Sequence, residues 1–260
     1  MMEFTTAEIT AWVGQFFWPF MRIGGLMVSA PIFSHNSLPL RIRIVLSMAL
    51  AVMIFPTIDY VPQVEPLSIP GLIISVNQVL IGIAMGFLMT LGFSVIIMAG
   101  ENVAFKMGLG FATMANPQSG VSVPIVSQFL LIIATLLFLS LGGHLLLLEI
   151  LAQSFKTMPI GIIGLTRDHL WTILEWGSEM FAGAVILSIP AIMILTMINL
   201  SLGIMTRAAP TLNIFSVGFP LTLLSGLVII LIIFIPAIPI HMGAIWRSLF
   251  LLIRQILGLA

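Results

Sequence analysis

These 260 residues include no cysteine, which excludes disulfides, thiolate metal sites and cysteine nucleophiles. Charge is almost as scarce. Only 7% of the residues are Asp, Glu, Lys or Arg, against roughly 25% in a soluble domain, so the chain cannot present a wetted surface all round. Nine basic and nine acidic side chains cancel to a formal net charge of zero. That leaves no basic patch for nucleic acid, which is not expected as a partner. No polar stretch is long enough to form a separate soluble domain. A GxxxxGK[ST] phosphate loop and an HExxH zinc motif are both missing, and no nucleophile–base pair stands out, so neither an enzyme nor a cofactor is expected.

What remains is apolar. Hydrophobic residues make up 60% of the chain and the mean hydropathy is +1.24, which predicts an all-α integral membrane protein. A spanning helix needs about 20 apolar residues. Six segments are candidates: Ile9–Phe33, Ile42–Phe55, Gly71–Ala99, Pro124–Leu148, Met180–Ile204 and Phe215–Ile235, the last followed by an interrupted piece, Pro236–Leu259. Pro19, Pro190, Pro236 and Pro239 each remove a backbone donor from an apolar stretch. In lipid such breaks survive only where protein or a water-lined cavity satisfies the freed groups. The chain therefore reads as broken helical hairpins buried in an assembly. Gly82 and Gly86 form a GxxxG step, whose ordinary meaning is close helix packing. Met1–Glu8 carries Glu3 and Glu8 where a signal peptide needs basic residues, so a cleaved leader is not expected.

The connections differ in chemistry. Pro56–Pro70 holds four prolines with Asp59 and Glu65 and reads as an extended loop. Thr157–Arg167 is glycine-rich and precedes Asp168, read as a helix N-cap. The distribution of Lys and Arg divides four against four across an alternating topology. A simple bilayer bundle is therefore not expected.

Few polar residues are candidates for chemistry. His144 and Glu149 are five apart, a poor spacing for a shared helical face, so a histidine hydrogen-bonded between helices is preferred to a metal ligand. Asp168, Glu175 and Glu179 follow a stripe of seven and four. Such a stripe ordinarily faces water or a basic neighbour; the sharper reading is an ion pair between subunits. Arg22 lies deep in an apolar run. Unpaired at mid-bilayer it would cost about 2.5–3.5 kcal/mol, so it should meet a carboxylate or carbonyls freed near Pro19, or snorkel to an interface beside Trp18. An intersubunit charge contact is a further expectation for it.

Two segments are more telling. In Glu101–Pro124, ENVAFKMGLGFATMANPQSGVSVP, no charge follows Lys106 until Glu149. Gly108, Gly110 and Gly120 give backbone freedom, while Pro117 and Pro124 forbid one continuous helix. Met107, Leu109, Phe111 and Met114 supply soft apolar bulk, which can seal a pore by dewetting. On residues alone an ordinary connecting loop is the commoner meaning. In Met205–Pro220, MTRAAPTLNIFSVGFP, Arg207 is the one formal charge between Met180 and Trp246. Pro210 and Pro220 are expected to break helix, and Asn213 and Ser216 suit a turn, so the block reads as the tip of a membrane hairpin.

These two blocks, with PIFSHNSLPLRIRIVLSMALA at Pro31–Ala51, stand in the order and nearly the wording of the FliR family. That family supplies the R subunit of the flagellar type III protein-export gate (SctT in injectisomes), and the resemblance runs nearly end to end. It implies a non-enzymatic subunit of a helical, cone-like gate in the bacterial inner membrane, multi-pass, within the flagellar basal body. The implied partners are the P and Q subunits FliP and FliQ, the export components FlhB and FlhA, the lipid membrane, and unfolded flagellar proteins passing through the channel. It further implies that residues 1–164 are P-like and include the plug loop, and that 165–260 form a Q-like hairpin. The plug role then falls on Met107–Val123, including Asn116 and Pro117, with Phe111 and Met114 as gasket contacts. Arg207, Pro210, Asn213, Phe215 and Pro220 would serve hairpin-tip assembly. A secondary transporter for a small solute is the rival, since broken helices often build midplane sites.

Overall fold

A computed structural model describes residues 6–34, 38–58, 60–110, 124–208 and 214–259, with backbone alone for 6–13, 15 and 214–217. All of its regular structure is helical: α1 (Thr6–Ser29), α2 (Pro31–Ser34), α3 (Leu40–Ile54) with a 3₁₀ turn at Phe55–Thr57, α4 (Ile69–Lys106), α5 (Ile125–Ser140), α6 (Gly143–Thr157), α7 (Arg167–Ala208), α8 (Ile214–Ile229), a π-helical segment (Ile230–Phe234) and α9 (Ile235–Ile256). Among the described residues four helices are long and apolar enough to cross a membrane: Leu40–Thr57, Ile69–Lys106, Arg167–Ala208 and Gly218–Ile256. The pair α5 and α6, bent by 62°, makes a fifth if taken as one span. The protein is an all-α, multi-pass membrane protein.

Several expected boundaries move. Pro124–Leu148 is two helices, because Gly142 takes a left-handed conformation (φ 72°) between α5 and α6. The 71–99 and 180–204 spans lie inside helices of 38 and 42 residues. At 1.5 Å rise per residue these measure about 57 and 63 Å, about twice the ~30 Å hydrocarbon core. The prolines break less than expected. Pro19, Pro190, Pro220 and Pro239 all lie within helices. Pro236 follows the π segment, where the Ile235 N–H reaches back to the Ile230 carbonyl. A wider turn just ahead of the ring absorbs the missing donor without ending the helix.

Two helix starts, those of α4 and α7, are built from local polar groups. Ser68 caps α4, its hydroxyl accepting the Gly71 N–H at 3.2 Å. At α7 the cap is Thr166 and not Asp168. The His169 N–H donates to the Thr166 hydroxyl (3.4 Å) and the Thr166 N–H to His169 Nδ1 (3.3 Å), a reciprocal box with histidine in the usual Glu/Gln place. Asp168 falls in the first turn, where its charge suits the helix dipole.

The chain clusters into two compact units, Met1–Leu91 with Gly142–Trp176 and Ser248–Ala260, and Gly92–Leu141 with Gly177–Arg247. In the first, α1 and α4 pair in parallel, contacts advancing together from Trp18–Ser75 to Ser29–Thr90. Parallel neighbours need a return element between them, and α3, packed on α1, supplies it. The helices meet backbone to backbone. A Cβ at Gly25 would sit 2.6 Å from the Val79 carbonyl, one at Gly82 would land on the Arg22 carbonyl, and one at Gly86 on the Ser29 hydroxyl. The GxxxG step is thus a close-packing seam. In the second unit Phe93, Phe138 and Trp246 form an aromatic trio with ring centroids 5.1–5.7 Å apart, distances at which edge-to-face pairs add to burial.

Candidate functional site

The loop after α4 leaves from a fixed stem. The Leu109 N–H reaches the Ala104 carbonyl (3.0 Å) and the Gly108 N–H the Phe105 carbonyl (3.1 Å), with Gly108 at φ 83°. This is a Schellman termination, and it needs glycine at that position. Met107 is fully buried. Its side chain lies where a Cβ on Gly226 of α8 would be, 2.4–2.6 Å away from it, and its carbonyl accepts the Thr222 hydroxyl at 3.4 Å. The Lys106 carbonyl accepts from Asn199 Nδ2 on α7 at 3.2 Å. Met107 is therefore packed under α8 at the root of the loop, and Leu109 is half-buried beside it. The far root is Pro124, which precedes α5 with extended backbone (φ −57°, ψ 146°). Phe111, Met114, Asn116 and Pro117 lie outside the described residues.

The second block sits around the α7–α8 connection. Arg207 is exposed in the last turn of α7, where a cation complements the carbonyl end of the dipole. Pro210 and Asn213 lie outside the described residues, and Phe215 belongs to the first turn of α8. Pro220 corrects an expectation. It is exposed within α8 and does not end it.

Arg22 is enclosed completely, at 0% exposure. Its Nε donates to Gln78 Oε1 (2.8 Å), Nη1 to the Ser154 hydroxyl (3.0 Å) and Nη2 to the Met158 carbonyl (2.7 Å). The guanidinium carbon lies 4.2 Å from the Phe155 ring centroid. These partners are neutral and belong to α4, to α6 and to the residue that follows α6. The expected carboxylate, the carbonyls near Pro19 and snorkelling are all replaced by this internal fork, which arginine's planar donors and stackable face suit. An intersubunit contact for Arg22 has no exposed surface to use.

The acidic stripe is outward. Asp168, Glu175 and Glu179 are exposed, and Glu175 Oε1 accepts the Trp171 indole N–H at 2.6 Å. His144 and Glu149 do not meet. Glu149 accepts from Gln153 (3.0 Å), and His144 Nδ1 is buried with no partner among the described residues, which corrects its reading as a bonded interhelical histidine. The residues that hold the loop stem and the arginine, namely Asn199, Thr222, Gly226, Gln78 and Ser154, carry no local motif. Only the mid-helix position of Gln78 in an apolar run pointed to a buried polar task.

Comparison with known proteins places these features in a family. The family model described as "Bacterial export proteins, family 1" matches residues 13–249. The chain is similar to the flagellar biosynthetic protein FliR of Pectobacterium carotovorum subsp. carotovorum, 37% identical over 99% of this chain and 98% of that one. It is also 37% identical to FliR of Escherichia coli K12 over 87% of each chain, and 30% identical to FliR of Bacillus subtilis 168 over 82% of this chain and 83% of that protein. A match that spans both the anchored loop and the hairpin block, carried by an all-helical membrane fold, makes this chain a member of the bacterial export proteins, family 1, the family of FliR.

Proposed function

We propose that this component of the flagellar export apparatus is a channel-lining subunit of the export gate, with loop 107–123 as the seal that closes the resting pore. Its setting is then the bacterial inner membrane within the flagellar basal body. Its neighbours are FliP and FliQ, with FlhB and FlhA alongside, and its cargo is unfolded flagellar protein. Family membership does not favour the solute-carrier rival. On this reading residues 1–164 are P-like and 165–260 Q-like, Arg207 to Pro220 form the cytoplasm-facing tip, and Glu175 and Glu179 face sister subunits. The chain brings no catalytic step of its own; the energy for export comes from partners.

The observation that carries the seal is the asymmetry between stem and loop. The stem is fixed by Met107 under Gly226, by Thr222 and Asn199 on its carbonyls, and by the turn at Gly108. The loop beyond it is long and uncharged, with Phe111 and Met114 as bulky apolar side chains. A firmly rooted apolar loop can be displaced by a passing polypeptide and return, while its dewetted tip blocks ions. The long α4 and α7 agree with helices that continue beyond a bilayer against other subunits. Deleting Ala112–Ser119 should leave assembly intact and let small ions leak, read as membrane conductance or growth inhibition by external ions. An unchanged conductance refutes the seal.

A further inference from the structure

We infer that the fork around Arg22 is a binding site for a small monovalent anion of the halide class, held by Gln78 Nε2 beside the guanidinium.

Arg22 is the only charged side chain among the buried described residues, and no Asp or Glu joins it there. Its charge is uncompensated where water is excluded, a costly state for a lone cation. The hydrogen-bond inventory points the same way. Gln78 is fully buried, and its Oε1 takes the Arg22 Nε–H at 2.8 Å. That bond fixes the amide's orientation, because the reversed amide would set donor against donor. Nε2 is thereby placed beside the guanidinium, and it is buried with no partner among the described residues. The guanidinium has N–H groups to spare beyond its three bonds. The Ser154 hydroxyl, which receives Nη1, has already given its own proton to the Leu151 carbonyl at 2.6 Å. The cluster is rich in donors, short of acceptors and positively charged.

A buried water would supply an acceptor but bring protons that need acceptors in turn. A halide accepts from several donors, brings none and cancels the charge. Enclosure favours a small ion, since Arg22 and Gln78 are both at 0% exposure. Access is at hand within the same compact unit. A cavity of about 800 Å³ has in its wall Ile74, one turn before Gln78, together with Thr157 and Met158 beside the third hydrogen bond. A small ion reaches the edge of the fork through it. Once bound, the ion ties α1 to α4 and, through the Met158 carbonyl, steadies linker 158–166.

The test follows thermal unfolding of the full-length chain in mild detergent, with sodium chloride replaced by sodium gluconate at equal ionic strength and pH. Gluconate is too large for the fork, so the midpoint should fall by at least about 3 °C. Bromide should restore it. Proteolysis of linker 158–166 should be severalfold faster in gluconate. Gln78→Glu places a carboxylate where the ion would sit, and Gln78→Met removes the free donor. Each variant should unfold at the same temperature in both salts, and either serves if the other does not fold. Equal midpoints for the unaltered chain in chloride and gluconate would assign a water to the fork and overturn the inference. Undiminished chloride dependence in a folded Gln78 variant would place the anion elsewhere and overturn it as well.

Discussion

Arg22 has four neutral contacts, three through hydrogen bonds and one through the Phe155 ring. Hydrogen bonds from a charged donor are worth roughly 1.5–3 kcal/mol each when buried, and removing the donor orphans Gln78 Oε1 and the Met158 carbonyl. Arg22→Lys keeps the charge but loses the fork and the stacking. It should cost about 2–3 kcal/mol, visible as a lowered thermal midpoint in mild detergent and as faster proteolysis of linker 158–166. An unchanged midpoint would mean that lysine reaches the same partners. The sequence made it plain that Arg22 needed partners, because a bare charge in an apolar run is untenable. It could not name Ser154 and Met158, which lie 132 and 136 positions away.

At the level of the element, glycine decides where helices meet and stop. A Cβ at Gly82 falls on the backbone of α1, and backbone cannot swing aside as a side chain can. Gly82→Leu should prise α1 from α4 and cost more than about 4 kcal/mol, in the range of severe overpacking; the readout is loss of folded chain from the membrane fraction. Gly108→Ala acts differently. It forces a Cβ into the left-handed region at a cost of about 1–2 kcal/mol and re-aims the loop proposed as the seal, so on that proposal a modest fall in thermal midpoint should accompany an ion leak. The GxxxG step announced the packing seam in the sequence. The helix ends were less legible. Proline normally stops a helix, yet Pro220 and Pro239 are carried inside α8 and α9, and a π turn accommodates Pro236. One missing hydrogen bond in a long apolar helix is outweighed by the packing on either side of it.

Across the whole molecule, Met193, Met197, Leu200 and Ile204 make an exposed stripe along α7, each more than 60% exposed. Spacings of four, three and four keep them on one helix face. Lipid or a sister subunit has to cover that face, and a charge is unwelcome in either. Leu200→Arg should change the stability of the isolated chain in detergent by less than about 0.5 kcal/mol. It should still sharply reduce alkali-resistant membrane association and flagellar secretion, since burying arginine in lipid costs about 2.5–3.5 kcal/mol. Full secretion would show the stripe to be bare. By itself the amino-acid order determined solvent, class and family: with 60% apolar and 7% charged residues, only helices that satisfy their own backbone are tenable, and three signature blocks carry the lineage. Tertiary structure alone decided which groups meet. It set Arg22 on Gln78, Ser154 and Met158, and Met107 beneath Gly226. Those encounters depend on how distant helices cross, and local periodicity records a helix's apolar face without recording what lies against it.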